Sequence, residues 1–269
     1  MSKVLGVSAS GFYRWRKVDP IRSEKTAALD DQIKEIFENS NETYGSPRVY
    51  AGLKKASIET SESTVARSMN RLKITPKKKK RYKNTTDSKH DEAISPNILN
   101  RCFEVSELGK VWVSDITYIS LKYGFVYLTT VLDLADRMIV GWSLSSNMTD
   151  QDTTIAALKK AVKNRPIEKG LIFHSDRGSQ YASTDFRKLL GQYECTQSMS
   201  RKGNCWDNAV AESFFKTIKS EELNRHQFEL IDEIFSTVFN YIEGWYNSRR
   251  IHSSLGGLSP REMAEKLAT

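Results

Sequence analysis

The sequence predicts an α/β protein built on a mixed β-sheet. Three segments after Lys110, "VWVSDITYISL", "GFVYLTTVLDL" and "RMIVGWSLS", have strand-like patterns, and the short turns between them predict an antiparallel meander. The apolar run in "GLIFHSD" is typical of a strand buried on both faces, which favours a parallel neighbour. Helical patterns occupy 150–163, 184–193 and the stretch from 207, and "CTQSMS" is a further short strand. This order is that of a ribonuclease-H-like fold, in which the fourth strand lies beside the first.

The composition indicates a globular protein whose partner is a polyanion. The 269 residues carry a net charge of +8 and have a pI near 9.2. There is no run of about 18 apolar residues and no leader-like start, so neither a membrane span nor a signal peptide is expected. The cysteines form no C-x-x-C pair and the histidines are scattered, which argues against zinc and disulfides and favours a reducing cytoplasm.

Residues 1–20 are expected to form a partial helical segment. The stretch "MSKVLGVSASGFYRWRK" has the pattern of the second half of a helix-turn-helix, whose first helix would precede Met1. The chain would then be one half of a two-frame product. The alternative is a helix that only docks on another surface.

Residues 21–76 predict a helix-turn-helix module that binds DNA. One helix covers 24–39, a second begins with Ser46 as N-cap and Pro47 in its first turn, and a third begins after Ser61. The third helix would present polar and basic residues outward: Ser63, Thr64, Arg67 and Arg71. A three-helix packing module without DNA contacts is the alternative.

Residues 77–105 predict a basic linker. Eight basic residues and no acid lie between Arg71 and Lys83, which equals the whole net charge. The stretch is either a solvated linker or an arm that grips phosphates. The candidate phosphate contacts are Lys77, Lys78, Lys79, Lys80 and Arg81.

The predicted core, 106–222, can bring three acids together. Pairing of the fourth strand with the first places Asp115 beside Asp176. In the helix from 207, Glu212 lies on a different stripe from the apolar residues and shares that stripe with Lys216 and Lys219. A helix packed against the sheet edge would therefore add Glu212 to the two aspartates.

Metal chemistry explains why three acids would be kept together. Like charges repel, and two divalent cations about 3.5–4 Å apart resolve the repulsion. Oxygen ligands without cysteine or histidine favour two Mg²⁺ or Mn²⁺ ions, which support in-line displacement at phosphorus.

Each acid also has a structural interpretation. Asp176 at a strand end is typical of a turn or cap residue, and Glu212 with Lys216 can form a surface ion pair. Asp133, Asp136 and Asp207 are competing candidates. Only the joint pattern favours a catalytic site.

Several long motifs carry a resemblance to a known family. The segments "WVSDITYI", "FHSDRGSQYAS" and "NCWDNAVAESFFKTIKSE", with 35 residues between Asp176 and Glu212, resemble the Asp-Asp-35-Glu signature of retroviral-integrase-like transposases. The most similar group is the second-frame protein of the bacterial insertion sequence 3 family. The segments "NETYGSPRVYAGLKK" and "EGWYNSRRIHSSLGGLSPREM" resemble its helix-turn-helix and its C-terminal tail. The likeness therefore covers nearly the whole chain.

The resemblance implies a site and an activity. Asp115, Asp176 and Glu212 would be the metal-binding catalytic triad, and Lys216 and Lys219 would grip terminal DNA. The expected reaction is hydrolysis of one strand at an element end, followed by attack of the freed 3′ hydroxyl on a second phosphodiester. A nuclease that only hydrolyses and a non-catalytic DNA-binding regulator are the alternatives.

The resemblance also implies partners. These are DNA (the terminal inverted repeats and the target), further copies of the chain on DNA, and an upstream-frame protein fused by frameshifting. The expected location is the bacterial cytoplasm, at the nucleoid.

Residues 223–269 predict a C-terminal helical extension. Apolar residues from Ile231 to Trp245 recur at helical spacing, and a last short helix follows Ser259. Arg249 and Arg250, among aromatic neighbours, would clamp DNA. The alternative is a packing helix followed by a solvated basic loop.

Overall fold

The computed structural model describes residues 6, 8–16, 20–76 and 93–269, and the chain divides into two compact units, 1–77 and 78–269. None of the described helices combines the length and the apolarity that a membrane crossing requires. The described helices of the first unit are α1 (Ala9–Arg16), α2 (Pro20–Asn39), α3 (Ser46–Lys55) and α4 (Glu62–Arg71).

The first unit is held by apolar residues that α2, α3 and α4 contribute to a shared core. Ile33, Val49, Leu53 and Val65 are fully buried. The N-cap of α4 is as predicted, because the Ser61 hydroxyl accepts a hydrogen bond from the Thr64 N–H at 3.2 Å.

The predicted start of α3 is wrong by one residue. Gly45 is the N-cap in an extended conformation, Ser46 already lies in the helix, and Pro47 follows in the first turn. No side chain caps this end of α3.

The second unit is organised around one sheet. Its described strands are β1 (Val111–Leu121), β2 (Gly124–Asp133), β3 (Ile139–Ser145), β4 (Ile172–Ser175) and β5 (Thr196–Met199). They lie in the order β3-β2-β1-β4-β5, with β1 antiparallel to β2 and parallel to β4. The predicted meander and the predicted neighbour of the first strand are confirmed, and the fold is ribonuclease-H-like.

Helices cover both faces of the sheet and extend to the end of the chain. The described helices are α5 (Ala156–Asn164, after a π-helical turn at Gln151–Ile155), α6 (Ser179–Ala182), α7 (Thr184–Gln192), α8 (Ala209–Glu221), α9 (Ile231–Phe239, continued by a π-helical turn at Asn240–Tyr246) and α10 (Pro260–Leu267). One core joins Trp112 and Phe173 of the sheet to Leu158 and Phe186 of α5 and α7.

The second core lies on the opposite face of the sheet, where Val113 and Leu128 pack with Phe215, Val238 and Ile242. The C-terminal helices therefore form part of the main core as well as an extension of it.

The last part of the predicted linker, residues 93–105, makes contacts within the second unit. Leu99 is buried in the core of the second unit. The Ser198 hydroxyl accepts hydrogen bonds from the backbone N–H groups of Ile98 (2.9 Å) and Leu99 (3.1 Å). Residues 93–105 consequently belong to the catalytic unit, because their backbone groups and an apolar side chain are satisfied there.

Arg250 was predicted to contact DNA, and the structure gives it a different place. It is only 3% exposed, and its Nε and Nη2 donate to the two carboxylate oxygens of Glu221 at 2.9 and 2.7 Å. The Tyr241 hydroxyl donates to the same carboxylate at 2.8 Å. Because the guanidinium is enclosed and paired, Arg250 holds the C-terminal segment on α8 and is removed from the candidate DNA contacts.

Substitution of Arg250 by Met should destabilise the protein strongly. The Glu221 carboxylate would stay buried without its partner, and the expected loss is about 3–5 kcal/mol in the free energy of unfolding. Urea unfolding followed by circular dichroism measures this change. Arg249→Met is the matched control, since Arg249 is exposed and should cost less than about 0.5 kcal/mol. Equal effects of the two substitutions would contradict the structural role.

Candidate active site

Parallel pairing of β1 with β4 brings two aspartates to the same level of the sheet. The last paired residues are Val113 and His174, and each aspartate follows its strand's member of that pair by two positions. Asp115 lies within β1, whereas Asp176 lies one residue beyond the end of β4. The prediction that these two residues become neighbours agrees with this register.

The Asp176 side chain is oriented by the turn that follows it. Its Oδ1 accepts a hydrogen bond from the Gly178 N–H at 2.9 Å. A Cβ atom at position 178 would lie 3.1 Å from that oxygen, so glycine allows the close approach. The turn holds the carboxylate at the strand end, and this is the cap-like role that the sequence left open.

The pKa of Asp115 reflects its burial and the charges of the neighbouring acids. Removal from water raises the pKa of Asp115 well above its usual range, and the negative charge of Asp176 raises this pKa further. The charge of Glu212 acts in the same direction. The hydrogen bond from the Ile116 N–H, at 2.9 Å, and the charge of Lys219 act in the opposite direction. The three predicted acids are therefore electrostatic neighbours.

Glu212 reaches this neighbourhood from α8. Ala211, Phe215 and Ile218 are buried, which orients the helix and leaves Glu212 on another stripe as predicted. The Lys216 Nζ lies 3.2 Å from the Glu212 carboxylate, and the two side chains are 64% and 22% exposed. The surface ion pair that the sequence left as an alternative is therefore present, and the same carboxylate also acts on Asp115.

The donor chemistry fits divalent cations. Within the described part of the chain, no three His, Cys, Asp or Glu side chains already stand in a metal-binding arrangement. The excess negative charge at Asp115 is what a hard cation balances, and carboxylate oxygens are the ligands that Mg²⁺ and Mn²⁺ prefer.

The competing acids have structural partners. Asp133 and Asp136 are fully buried, and each accepts a 2.6 Å hydrogen bond from the Arg165 guanidinium. Asp207 is also buried, and hydrogen bonds and charge from Arg201 hold its pKa well below the usual range. Because these carboxylates are paired and enclosed, none of them is a candidate catalytic group.

The polar side chains that support β1 next to Asp115 were not predicted. The Tyr181 hydroxyl and the Ser114 Oγ lie 2.7 Å apart in the core, directly behind Asp115. The Asn208 side chain donates to the Ser114 carbonyl at 3.0 Å and so ties the turn before α8 to β1. The sequence does contain one signal of this support. Ser114 lies between Trp112 and Ile116 on an inward face of the strand, and a buried hydroxyl there requires a hydrogen-bond partner.

A buried histidine supports the strand that precedes Asp176. The His174 ring is fully buried, and its Nδ1 lies 2.8 Å from the Ser198 Oγ. Burial lowers the pKa of His174 to about 4, so this imidazole is neutral at physiological pH. The neutral ring connects β4 to β5 without adding charge behind the acids.

The candidate DNA contacts of the catalytic unit differ in their surroundings. Lys216 and Arg249 are exposed. Lys219 is half-buried, its Nζ donates to the Thr117 Oγ1 at 2.6 Å, and burial lowers its pKa while the charge of Asp115 raises it. Lys219 therefore lies between the acids and the solvent.

The candidate DNA contacts of the first unit lie on α4. Arg67 is exposed, and its Nε donates to the Ser63 carbonyl at 3.2 Å. Arg71 is about half exposed and pairs with Asp30 at 2.6 Å. The predicted contacts from Lys77 to Arg81 lie outside the described residues.

Comparisons with known proteins agree in both units. Models of an integrase core domain match residues 106–205 and 193–260, and a model of a helix-turn-helix-like domain matches residues 24–82. The chain is 39% identical over 267 residues to the insertion element IS600 uncharacterized 31 kDa protein of Shigella sonnei, covering 99% of this chain and 98% of that protein. It is 36% identical over 269 residues to transposase InsF for insertion sequence IS3A of Escherichia coli K12, covering 99% and 93%.

A comparison with solved structures finds the catalytic core domain of HTLV-2 integrase, determined in complex with magnesium. The TM-score is 0.45 at 18% sequence identity, over 58% of this chain and 97% of that one.

Substitution of Asp115 by Asn should stabilise the protein in the absence of divalent cations. A carboxyl whose pKa is raised by folding costs stability as the pH rises above its unfolded value of about 3.9, and asparagine removes this cost at neutral pH. The temperature of thermal unfolding in EDTA should therefore rise, by about 2–4 °C for each kcal/mol of repulsion and desolvation that the substitution removes. Magnesium should raise the unfolding temperature of the wild type more than that of the variant.

Glu104→Gln, at an exposed acid of the same unit, is the control and should have no effect. A lower unfolding temperature for Asp115→Asn in EDTA would contradict the repulsion argument.

Proposed function

The chain belongs to the insertion sequence 3 family of transposases and acts as a DNA transposase, and from this premise we propose that Asp115, Asp176 and Glu212 form its catalytic centre. The proposed reaction is metal-dependent cleavage at the ends of an insertion element, followed by transfer of the freed 3′ end to target DNA. The proposal is supported above all by the raised pKa of Asp115, which burial and the charges of Asp176 and Glu212 cause together.

The three acids would hold two Mg²⁺ or Mn²⁺ ions. When bound, such ions activate the attacking oxygen and stabilise the leaving oxygen of an in-line displacement at phosphorus. Ser114, Tyr181 and Asn208 connect β1 to α6 and to the turn before α8, and so support the strand that carries Asp115. Lys216 and Lys219 on α8 would pair with phosphates next to the scissile bond and offset the repulsion between DNA and the acids.

The first unit would supply sequence-independent and sequence-specific contacts with DNA. We propose that α4 enters the major groove with Arg67 and Arg71, and that Lys77, Lys78, Lys79, Lys80 and Arg81 contact the phosphates. Arg71 has to exchange its pairing with Asp30 for a DNA contact, so Arg67 is expected to contribute more. Arg249 is the remaining candidate in the C-terminal segment.

The proposed partners follow from the reaction. Element ends and target DNA are the substrates, and joining two ends in one event calls for more than one copy of the chain. An upstream-frame segment fused by frameshifting is a further proposed partner. The proposed place of action is the bacterial nucleoid.

Neutral substitutions of the acids should abolish strand cleavage. Asp115→Asn, Asp176→Asn and Glu212→Gln each remove a negative oxygen donor, so cleavage of end-labelled duplex from the DNA flanking the gene should fall to background in magnesium. Binding of the same DNA, measured by anisotropy, should stay within about twofold of wild type. The affinity for phosphates comes from cationic side chains, and these substitutions remove none of them.

Asp185→Asn is the matched control, an exposed aspartate of the same unit whose loss should leave cleavage unchanged. A variant that still cuts in magnesium would remove its acid from the catalytic centre. Products that are cut but never joined to target DNA would favour a hydrolysing nuclease.

Substitution of Arg67 by Ala should weaken DNA binding through the loss of one cationic contact. The slope of log affinity against log salt should become shallower by about 1 for a phosphate contact, with an affinity loss that is similar for all sequences. A contact to a base would instead relax sequence preference at one position. Lys34→Ala, at a half-exposed lysine of α2 that pairs with Asp31, serves as the control. An unchanged slope and affinity for Arg67→Ala would contradict the DNA-binding role of α4.

A further inference from the structure

One face of the β1–β2 hairpin is left open at its outer end. Cross-strand partners share a face of the sheet, and the register pairs Tyr118 with Tyr127 and Ser120 with Phe125. These residues define the hairpin face. The opposite face carries Ile119, which is buried in the core formed with α8.

Two aromatic rings of the hairpin face are displayed to solvent side by side. Tyr118 is 38% exposed and Phe125 is 55% exposed. Their ring centroids lie 5.4 Å apart in an edge-to-face arrangement, so each ring orders the other. Adjacent exposed aromatic rings on a rigid strand pair are typical of a binding surface.

A cation connects this surface to the proposed catalytic centre. The Lys219 Nζ lies 4.9 Å from the centroid of the Tyr118 ring and 2.6 Å from the Thr117 Oγ1. The same charge acts on Asp115, which precedes Tyr118 by three residues on the same strand. Asp115 has the same orientation as Ile119 and therefore lies on the face opposite Tyr118. Because β4 pairs with β1 only as far as Val113, Lys219 can contact both Thr117 and the Tyr118 ring and so links the hairpin face to the acids.

A second cation lies at the turn of the hairpin. The Lys122 Nζ is 5.6 Å from the Tyr123 ring centroid and pairs with Glu229 at 2.7 Å. Lys122 therefore belongs to the hairpin turn, and Lys219 is the cation that lies against the Tyr118 ring of the hairpin face.

We propose that the hairpin face binds unpaired nucleotides of the DNA strand beside the reacting phosphodiester, by stacking of bases on Tyr118 and Phe125. Every base has a π-face that stacks on an aromatic ring, whereas a fully paired duplex keeps those faces inside. Lys219 places a positive charge beside the rings, where a phosphate would follow the stacked base. The inference rests on the proposed function, because it assumes that DNA occupies the centre formed by the acids.

The consequence for the reaction is a preference for DNA ends that open easily. A strand held apart on the hairpin face cannot pair again with its complement, so the reacting phosphodiester stays accessible to the acids. A protein partner would more commonly be met by an apolar core from which charges are excluded, and a lysine against the Tyr118 ring is a poor match for that.

The test compares two labelled duplexes of the flanking DNA, one fully paired and one with a short unpaired end. Affinity is measured by fluorescence anisotropy in EDTA, so that no cleavage takes place. The wild type should prefer the unpaired end, and the double substitution Tyr118→Ala with Phe125→Ala should reduce this preference about tenfold while leaving duplex affinity unchanged. Replacing both residues by Trp should preserve the preference.

Tyr123→Ala is the matched control, because Tyr123 is 87% exposed at the hairpin turn and outside the hairpin face. The Tyr123→Ala variant should prefer the unpaired end as strongly as the wild type does. If the double variant unfolds, Phe125→Ala alone carries the test, since this ring is the more exposed of the two.

Two results would overturn the proposal. One is a wild type without preference for the unpaired end, and the other is an alanine variant with the full wild-type preference. A change of sedimentation mass with an unchanged DNA preference would instead assign the face to contacts between copies. The catalytic proposal is judged separately by cleavage of paired DNA in magnesium, so each proposal can fail while the other stands.

Discussion

The site depends on the parallel pairing of β1 with β4. Three residue pairs, from Val111 with Ile172 to Val113 with His174, fix the register of the two strands. This register brings Asp115 and Asp176 to the same level of the sheet. A shift of one residue would turn one of the two strands over and point its aspartate into the opposite core. The His174 ring and the Tyr181 hydroxyl lie behind these strands and connect them to β5 and α6.

Charge repulsion is the cost of this geometry, and it is also what makes the site useful. Two aspartates beside each other raise the free energy of the ionised protein, and Glu212 adds to it from α8. Lys216 and Lys219 offset part of that charge, each in a different way. Under the proposed function the unbalanced remainder would attract cations, and with cations present a polyanionic substrate could approach acids that would otherwise repel it.

The strand order could be predicted from the sequence because local patterns determine it. Alternation in β1 to β3, the doubly buried β4 and the apolar stripe of α8 each depend on nearby residues. The role of Arg250 could not be predicted. An arginine in an aromatic and basic stretch is compatible both with a DNA contact and with an ion pair to a buried carboxylate. Only the fold shows that Glu221, 29 positions earlier, is buried opposite it. The contacts of Ile98 and Leu99 could not be predicted for the same reason, because residues 93–105 are irregular and the partner Ser198 is remote in sequence.

The clamp between Arg250 and Glu221 also has a consequence for biogenesis. Arg250 follows Glu221 by 29 positions, so Glu221 at the end of α8 lacks its partner until the C-terminal segment has been made. Local segments such as the β1–β2 hairpin can form early, whereas contacts between distant segments wait for synthesis to finish. The support of α8, the helix that carries Glu212, is therefore completed late in folding, when the C-terminal segment joins the core.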